Sequence, residues 1–150
     1  MNRRIVLCDI DHVISDAFWR DNMLSGASPD YDSYHYASRE DNPNPAIVSM
    51  LQTLCFAGSY HIVGLTARPE KWRKLTMDWM IKHYVPMDEL FMRPMDMLFE
   101  PTPKLKAHLI KINYPEGFKN ISLVIDDRED VCAELRGMNL NVMQYTMRRA

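Results

Sequence analysis

Short apolar runs rich in β-branched residues alternate with helix-like segments along most of the chain, and this alternation limits the possible folds more than any single residue does. The runs IVLCDI, YHIVGLT, ELFM, ISLVIDD and VMQY read as strands, while AIVSMLQTLCFAG, PEKWRKLTMDWMIKHY, TPKLKAHLIKI and EDVCAELRGM read as helices. The stretch from Ile5 to Cys8 is apolar at every position and that from Ile121 to Ile125 at every position but Ser122, as in strands covered on both faces. Parallel strands of that kind are joined by right-handed crossovers. The pattern therefore predicts an α/β fold, a three-layer sandwich around a central parallel sheet.

One helix is predicted over about 69 to 84, with Pro69 in its first turn and Trp72, Leu75, Trp79 and Ile81 or Lys82 near helical spacing for the core. Helices from Ile47 to Phe56 and from Val131 to Leu135 are followed by Gly58 and Gly137, where a left-handed stop is expected. Between about 15 and 45 the alternation fails. That stretch is polar and turn-rich, yet it carries Phe18, Trp19, Tyr31, Tyr34 and Tyr36, which a solvated tether would not need. It reads as a small cap-like insertion after the first strand, covering the strand ends of a single domain spanning 1–150.

Composition narrows the setting. Apolar residues make up 47% and charged residues 25% of 150, a globular mixture without any run of membrane-span length. The opening MNRRIVLC lacks the apolar middle of a secretory signal, so a cytoplasmic location is expected. Cys8, Cys55 and Cys132 form no C-x-x-C pair and are expected to be reduced core residues. A net charge of −2 argues against a long nucleic-acid tracking surface, though a local basic pocket fits it.

In an open parallel sheet, ligands bind at the carboxyl ends of the strands. Here those ends carry Asp9 and Asp11, then Thr66-Ala67-Arg68, then Asp126-Asp127-Arg128, with Lys104 opening a helix between the last two. If they converge, two carboxylates 4 Å apart repel by about 4 kcal/mol at an effective dielectric of 20, so positive charge must be present. With no His and Cys cluster for zinc, an all-oxygen site suits Mg²⁺ alongside a phosphate.

DIDHV, LTARP, Lys104 and IDDRED, in that order, resemble the four motifs of the haloacid dehalogenase superfamily of phosphatases. Within it, NPNPAIV, TARPEKWRKLTMDWM and IDDRED are most similar to the phosphatase domain of the bacteriophage polynucleotide kinase-phosphatase family. The resemblance implies a Rossmann-like core and hydrolysis through an aspartyl-phosphate. Asp9 would be the nucleophile and Asp11 the acid and base. Thr66, Ala67, Arg68 and Lys104 would hold the phosphate, and Asp126 and Asp127 would hold Mg²⁺ with Asp9 and the main-chain carbonyl of Asp11. Arg73 matches a second arginine of that pattern.

The sequence also departs from the family. His12-Val13 stand where glycine precedes threonine or valine, so His12 is expected to face the substrate or a neighbouring carboxylate. No GxxxxGK[ST] loop occurs, so only phosphate removal is expected. Trp19, Tyr31, Tyr34, His35, Tyr36 and Arg39 suit either base contact or the small core of the insertion, and Tyr36 is taken with His12 and Arg73 as substrate-binding. KWRKL reads as a solvated helix face, and Asp130 as a helix start. The expected function is a Mg²⁺-dependent phosphomonoesterase whose substrate is a nucleoside monophosphate or a short nucleic-acid end bearing a 3′-phosphate, with no membrane partner. The alternatives are a non-catalytic phosphate-binding regulatory domain and a phosphotransferase.

Overall fold

The computed structural model describes residues 3–149. The chain forms β1 (Arg4–Cys8), a short β2 (Ser15–Asp16), α1 (Tyr31–Ala37), a short β3 (Asn42–Pro43), α2 (Pro45–Phe56) and β4 (Tyr60–Pro69). It continues with α3 (Arg73–Lys82), β5 (Glu89–Arg93), α4 (Thr102–Asn113), β6 (Ile121–Asp126), α5 (Glu129–Gly137) and β7 (Val142–Gln144). Five strands make one sheet in the order β5-β4-β1-β6-β7, and every pairing is parallel. This is the predicted three-layer architecture.

The continuous apolar runs have the cause inferred for them. Val6 and Cys8 face one side of the sheet, with Ile47, Val48 and Leu51 of α2 and Trp79 and Met80 of α3. Leu7 faces the other, with Leu105, Leu109 and Ile110 of α4 and Val131 and Leu135 of α5. Both faces of β1 are buried, and each large aliphatic side chain so enclosed contributes roughly 1.5–3 kcal/mol. Because β1 pairs with β4 on one side and β6 on the other, it lies where the strand order reverses direction.

Several local expectations are corrected. Pro69 closes β4, a 3-10 turn occupies Glu70–Trp72, and the α-helix starts only at Arg73, because the proline continues the extended strand. Trp79 is buried, whereas Ile81 is 70% exposed. Gly58 has the left-handed φ of 74°, but α5 runs through Gly137 and Asn139 takes the left-handed φ of 62°. Cys55 is exposed, while Cys8 and Cys132 are buried and free.

Residues 15–45 have no helical or strand period because they are built from short pieces. β2 and β3 pair antiparallel, a 3-10 segment covers Phe18–Leu24, and α1 has only seven residues, capped by Asp30 through the amide of Ser33. Among the described residues, no helix is long and apolar enough to cross a membrane.

Candidate active site

The carboxyl ends of β1, β4 and β6 meet at a cavity of about 740 Å³. Asp9 directly follows β1, and its amide donates to the carbonyl of Ile125 at 2.9 Å, fixing it beside β6. Its carboxylate is buried and shares with Asp127 and the last residue of β6, Asp126, a cluster whose nearest oxygens lie within 4.8 Å of one another.

The cation in this cluster is Lys106, not Lys104. Lys106 Nζ lies 2.9 Å from Asp9 Oδ1 and 2.5 Å from Asp126 Oδ2, and its side chain is 1% exposed. Lys104 instead pairs with Glu134 at 2.8 Å on the outside of α4 and α5. Two helical positions are about 200° apart, so one lysine of the TPKLKAH run faces the sheet while the other faces away. The phase was readable: Lys106 stands in line with Leu109 and Ile110, three and four residues on, which are buried.

The charges in this cluster do not balance. Burial, then the negative charge of Asp126, pushes the Asp9 carboxyl well above the ordinary carboxylate range, although Lys106 opposes the shift. Asp127 is also pushed up, by burial first. Lys106 is raised because Asp9 and Asp126 outweigh the burial that would lower it. Three carboxylates with a single ammonium, all donors being oxygen, are the chemistry that a hard divalent cation fits.

Asp11 has the opposite environment. Arg68, in β4, grips it with Nη2 to Oδ1 at 2.7 Å and Nε to Oδ2 at 3.1 Å, and Arg20 Nη2 donates to the same Oδ1. Burial would raise Asp11, but the two guanidinium groups hold it well below the usual carboxylate range. Arg20 is completely buried and also forks onto Asp41, with Nε to Oδ1 at 2.8 Å and Nη2 to Oδ2 at 2.7 Å. Trp19 Nε1 donates to Asp41 at 2.9 Å, and the Arg20 guanidinium lies 4.2 Å from the Tyr34 ring centre. Much of the insertion's aromatic content is therefore the housing of this arginine.

The remaining predicted residues divide. Ala67 and Arg68 line the cavity, while Thr66 is buried with its hydroxyl accepting from the Arg68 amide at 3.1 Å, so it braces the end of β4 that presents Arg68. His12 lines the cavity and keeps a left-handed φ of 65°, the conformation glycine would supply, with Nε2 3.1 Å from Asp21 Oδ1 and its ring against Phe18. Arg73 is not in the cavity. It is held by Glu70 at 2.7 Å and the carbonyl of Leu90 at 2.8 Å, because the turn before α3 points it toward β5. Tyr36 is likewise outside it, under the Arg39 guanidinium at 3.7 Å in a separate groove.

Arg20, Asp41, Lys106 and Arg93 belong to or border the site without having been singled out from the sequence, and Arg128, just past the end of β6 as expected, also lines the cavity. Asp130 opens α5 as expected and accepts from Arg128 at 2.7 Å.

The family model of the polynucleotide kinase PNKP phosphatase domain matches residues 3–148. The chain belongs to that family. The solved Pnkp1/Rnl/Hen1 complex contains a chain with a TM-score of 0.75 and 23% identity, over 95% of this chain and 45% of that one. A second structure, of the Pnkp1/Rnl/Hen1 RNA repair complex, gives 0.75 and 21%, over 96% of this chain and 43% of that one. The chain thus spans less than half the length of these neighbours. A putative phosphatase from Clostridium difficile has a TM-score of 0.67 and 11% identity over 96% of this chain and 85% of its own. Identities this low establish a shared fold alone. No curated protein sequence matches the chain. The family match establishes a phosphatase domain of the haloacid dehalogenase superfamily, as the motifs suggested.

Proposed function

We propose that the chain is a Mg²⁺-dependent phosphomonoesterase acting on a nucleotide phosphate, either a nucleoside monophosphate or the 3′-phosphate end of a nucleic acid. The observation that carries this reading is the Asp9 carboxylate, held by Lys106 beside Asp126 and Asp127 and opening on a cavity that Arg68 also lines. Asp9, Asp126 and Asp127 would hold the ion, and bound Mg²⁺ would offset the charge that builds as an anionic nucleophile meets an anionic phosphate.

An oxygen of Asp9 attacks phosphorus, the bond from phosphorus to the ester oxygen breaks, and an aspartyl-phosphate forms. The leaving oxygen takes its proton from Asp11. A water molecule then gives a proton back to Asp11 and attacks phosphorus, breaking the bond to Asp9 and releasing inorganic phosphate. An acid clasped by two arginines is ionised, which suits the second step but not the first. An entering phosphate dianion competes for the Arg68 fork, and losing part of it raises the affinity of Asp11 for a proton. Lys106 keeps Asp9 aimed and neutralises part of its charge.

Phosphate release from an aryl phosphate, nucleoside monophosphates and 3′-phosphorylated oligonucleotides, with and without Mg²⁺, tests the proposal. Turnover that needs the ion and vanishes in Asp9→Asn supports it. Turnover that survives Asp9→Asn sinks it.

A further inference from the structure

His35, in the last turn of α1, lines the active-site cavity and is 8% exposed, yet the reaction above gives it no part. Its Nδ1 is sealed from solvent without a hydrogen-bond partner among the described residues. Nε2 likewise bonds to none of those residues but is not sealed, so it is the ring nitrogen left open to the cavity.

A buried nitrogen without a partner is uncommon in a folded protein and calls for an explanation. A second one lies close by. Trp72 Nε1 is also buried and unpartnered among the described residues, on a ring whose centre is 6.3 Å from that of His35. An indole nitrogen can only donate, and the complementary acceptor here is the lone pair of His35 Nδ1, at a separation that one bridging water spans. With Nδ1 accepting, a neutral imidazole carries its hydrogen on Nε2. Burial pushes the ring down to about 4, with Asp11 opposing the shift and Arg68 and Arg20 adding to it, so near neutral pH it is uncharged.

We infer that His35 donates its Nε2–H to the leaving oxygen of the phosphomonoester, beside Asp11. The inference rests on the phosphatase reading above and adds a second group to its first step. In-line displacement sets the leaving oxygen on the far side of phosphorus from Asp9. Asp9 comes from the strand ends, whereas His35 comes from the insertion that walls the cavity, and of the charged groups around the ring Asp11 acts on it most strongly. The imidazole is therefore on the side of the acid that serves the leaving oxygen. The proton itself still passes from Asp11, which the clasp of Arg68 and Arg20 makes a reluctant acid. His35 keeps its own proton and stabilises the charge that grows on the oxygen as its bond to phosphorus breaks, a task suited to a neutral imidazole.

The test measures kcat/KM, which reports formation of the aspartyl-phosphate, for the full chain with Mg²⁺ on nitrophenyl, phenyl and alkyl phosphates. A donor to the leaving oxygen matters most where that oxygen is most basic. His35→Ala is expected to lower kcat/KM about a hundredfold on the alkyl ester and about threefold on the nitrophenyl ester. His35→Gln, whose amide can donate, should recover much of the alkyl loss, and Trp72→Phe, which removes only the indole N–H, should show the same trend in weaker form. An equal loss on all three esters in His35→Ala is a structural effect and would overturn the inference while leaving the phosphatase intact. Long-range proton–nitrogen NMR spectra, assigned by the signals lost in His35→Gln, provide a readout independent of turnover: the Nε2–H tautomer supports the inference and the Nδ1–H tautomer overturns it. If wild type hydrolyses none of the esters, the phosphatase reading falls and this inference with it.

Discussion

Replacing Lys106 by methionine keeps the length of the side chain and deletes its charge. Lys106 is buried between Asp9 and Asp126 at 2.9 and 2.5 Å, so its loss leaves two carboxylates without their common cation. Breaking a buried pair from one side costs about 3–5 kcal/mol. For a domain of this size, at about 2–4 °C per kcal/mol, that is a fall in Tm of roughly 6–20 °C. The deficit depends on pH in a defined sense. The folded Asp9 carboxyl already binds its proton more tightly than an unfolded aspartate, whose ordinary pKa is 3.8, and removing Lys106 tightens it further. The variant therefore loses most stability at neutral pH and above, and recovers as pH falls toward the unfolded value, where Asp9 is neutral in both states. Lys104→Ala is the internal control. That side chain is 64% exposed in a pair with Glu134, worth about 0–1 kcal/mol. Thermal melts across pH and aryl-phosphate turnover provide the readouts, with turnover of Lys106→Met expected to drop by orders of magnitude and that of Lys104→Ala to stay within about twofold. A Lys106→Met protein as stable and active as wild type, or a Lys104→Ala protein damaged more than it, would refute the assignment.

Asp9→Asn removes a buried charge that costs stability, so melts in EDTA at neutral pH should show a higher Tm than wild type, with the gap closing as pH falls toward 3.8. Mg²⁺ at a hundred times its dissociation constant should stabilise wild type by about 2.7 kcal/mol, and Asp126→Asn/Asp127→Asn should remove most of that shift in a calorimetric titration. The folded Asp11 carboxyl is depressed, so its contribution is present above an unfolded value of 3.8 and lost as pH falls below it; the stability gap between wild type and Asp11→Asn, read by urea unfolding, should shrink on acidification. Arg20→Ala leaves Asp41 buried beside a vacated fork and should cost about 3–5 kcal/mol, detectable in the same unfolding experiment.

The architecture was legible because it rests on burial. A strand covered on both faces is apolar through its buried stretch, and β1 from Ile5 to Cys8 and β6 from Leu123 to Ile125 announced themselves that way. The acids at strand ends were legible for a related reason, since Asp9 and Asp126 each close a run that nothing else explains. Features set by helical phase or by distant partners were harder to read. Lys104 and Lys106 differ only in which way α4 turns them, and the neighbouring Leu109 and Ile110 held that information. Arg20 gave no local signal, because its partners Asp11 and Asp41 lie nine and twenty-one residues away. The stretch from 15 to 45 resisted a period because its structure is a chain of short turns around that one guanidinium.

The two acids of D-x-D stand two residues apart yet have opposite environments, and the sheet explains the difference. β1 ends at Cys8, before either acid, and lies between β6 and β4. Asp9 is tied by its amide to β6 and so meets Asp126, where negative charge accumulates and favours a cation. The chain then turns at His12, and Asp11 is left on the side of β4, which supplies Arg68, while the following segment wraps back to add Arg20. One carboxylate is thus short of positive charge and the other is well supplied with it. That contrast would let identical side chains serve as nucleophile and as proton carrier in the proposed reaction. It would disappear if Asp11 were placed on a strand continuing straight beyond Cys8, because alternate residues of a strand share one face and both acids would then share one environment.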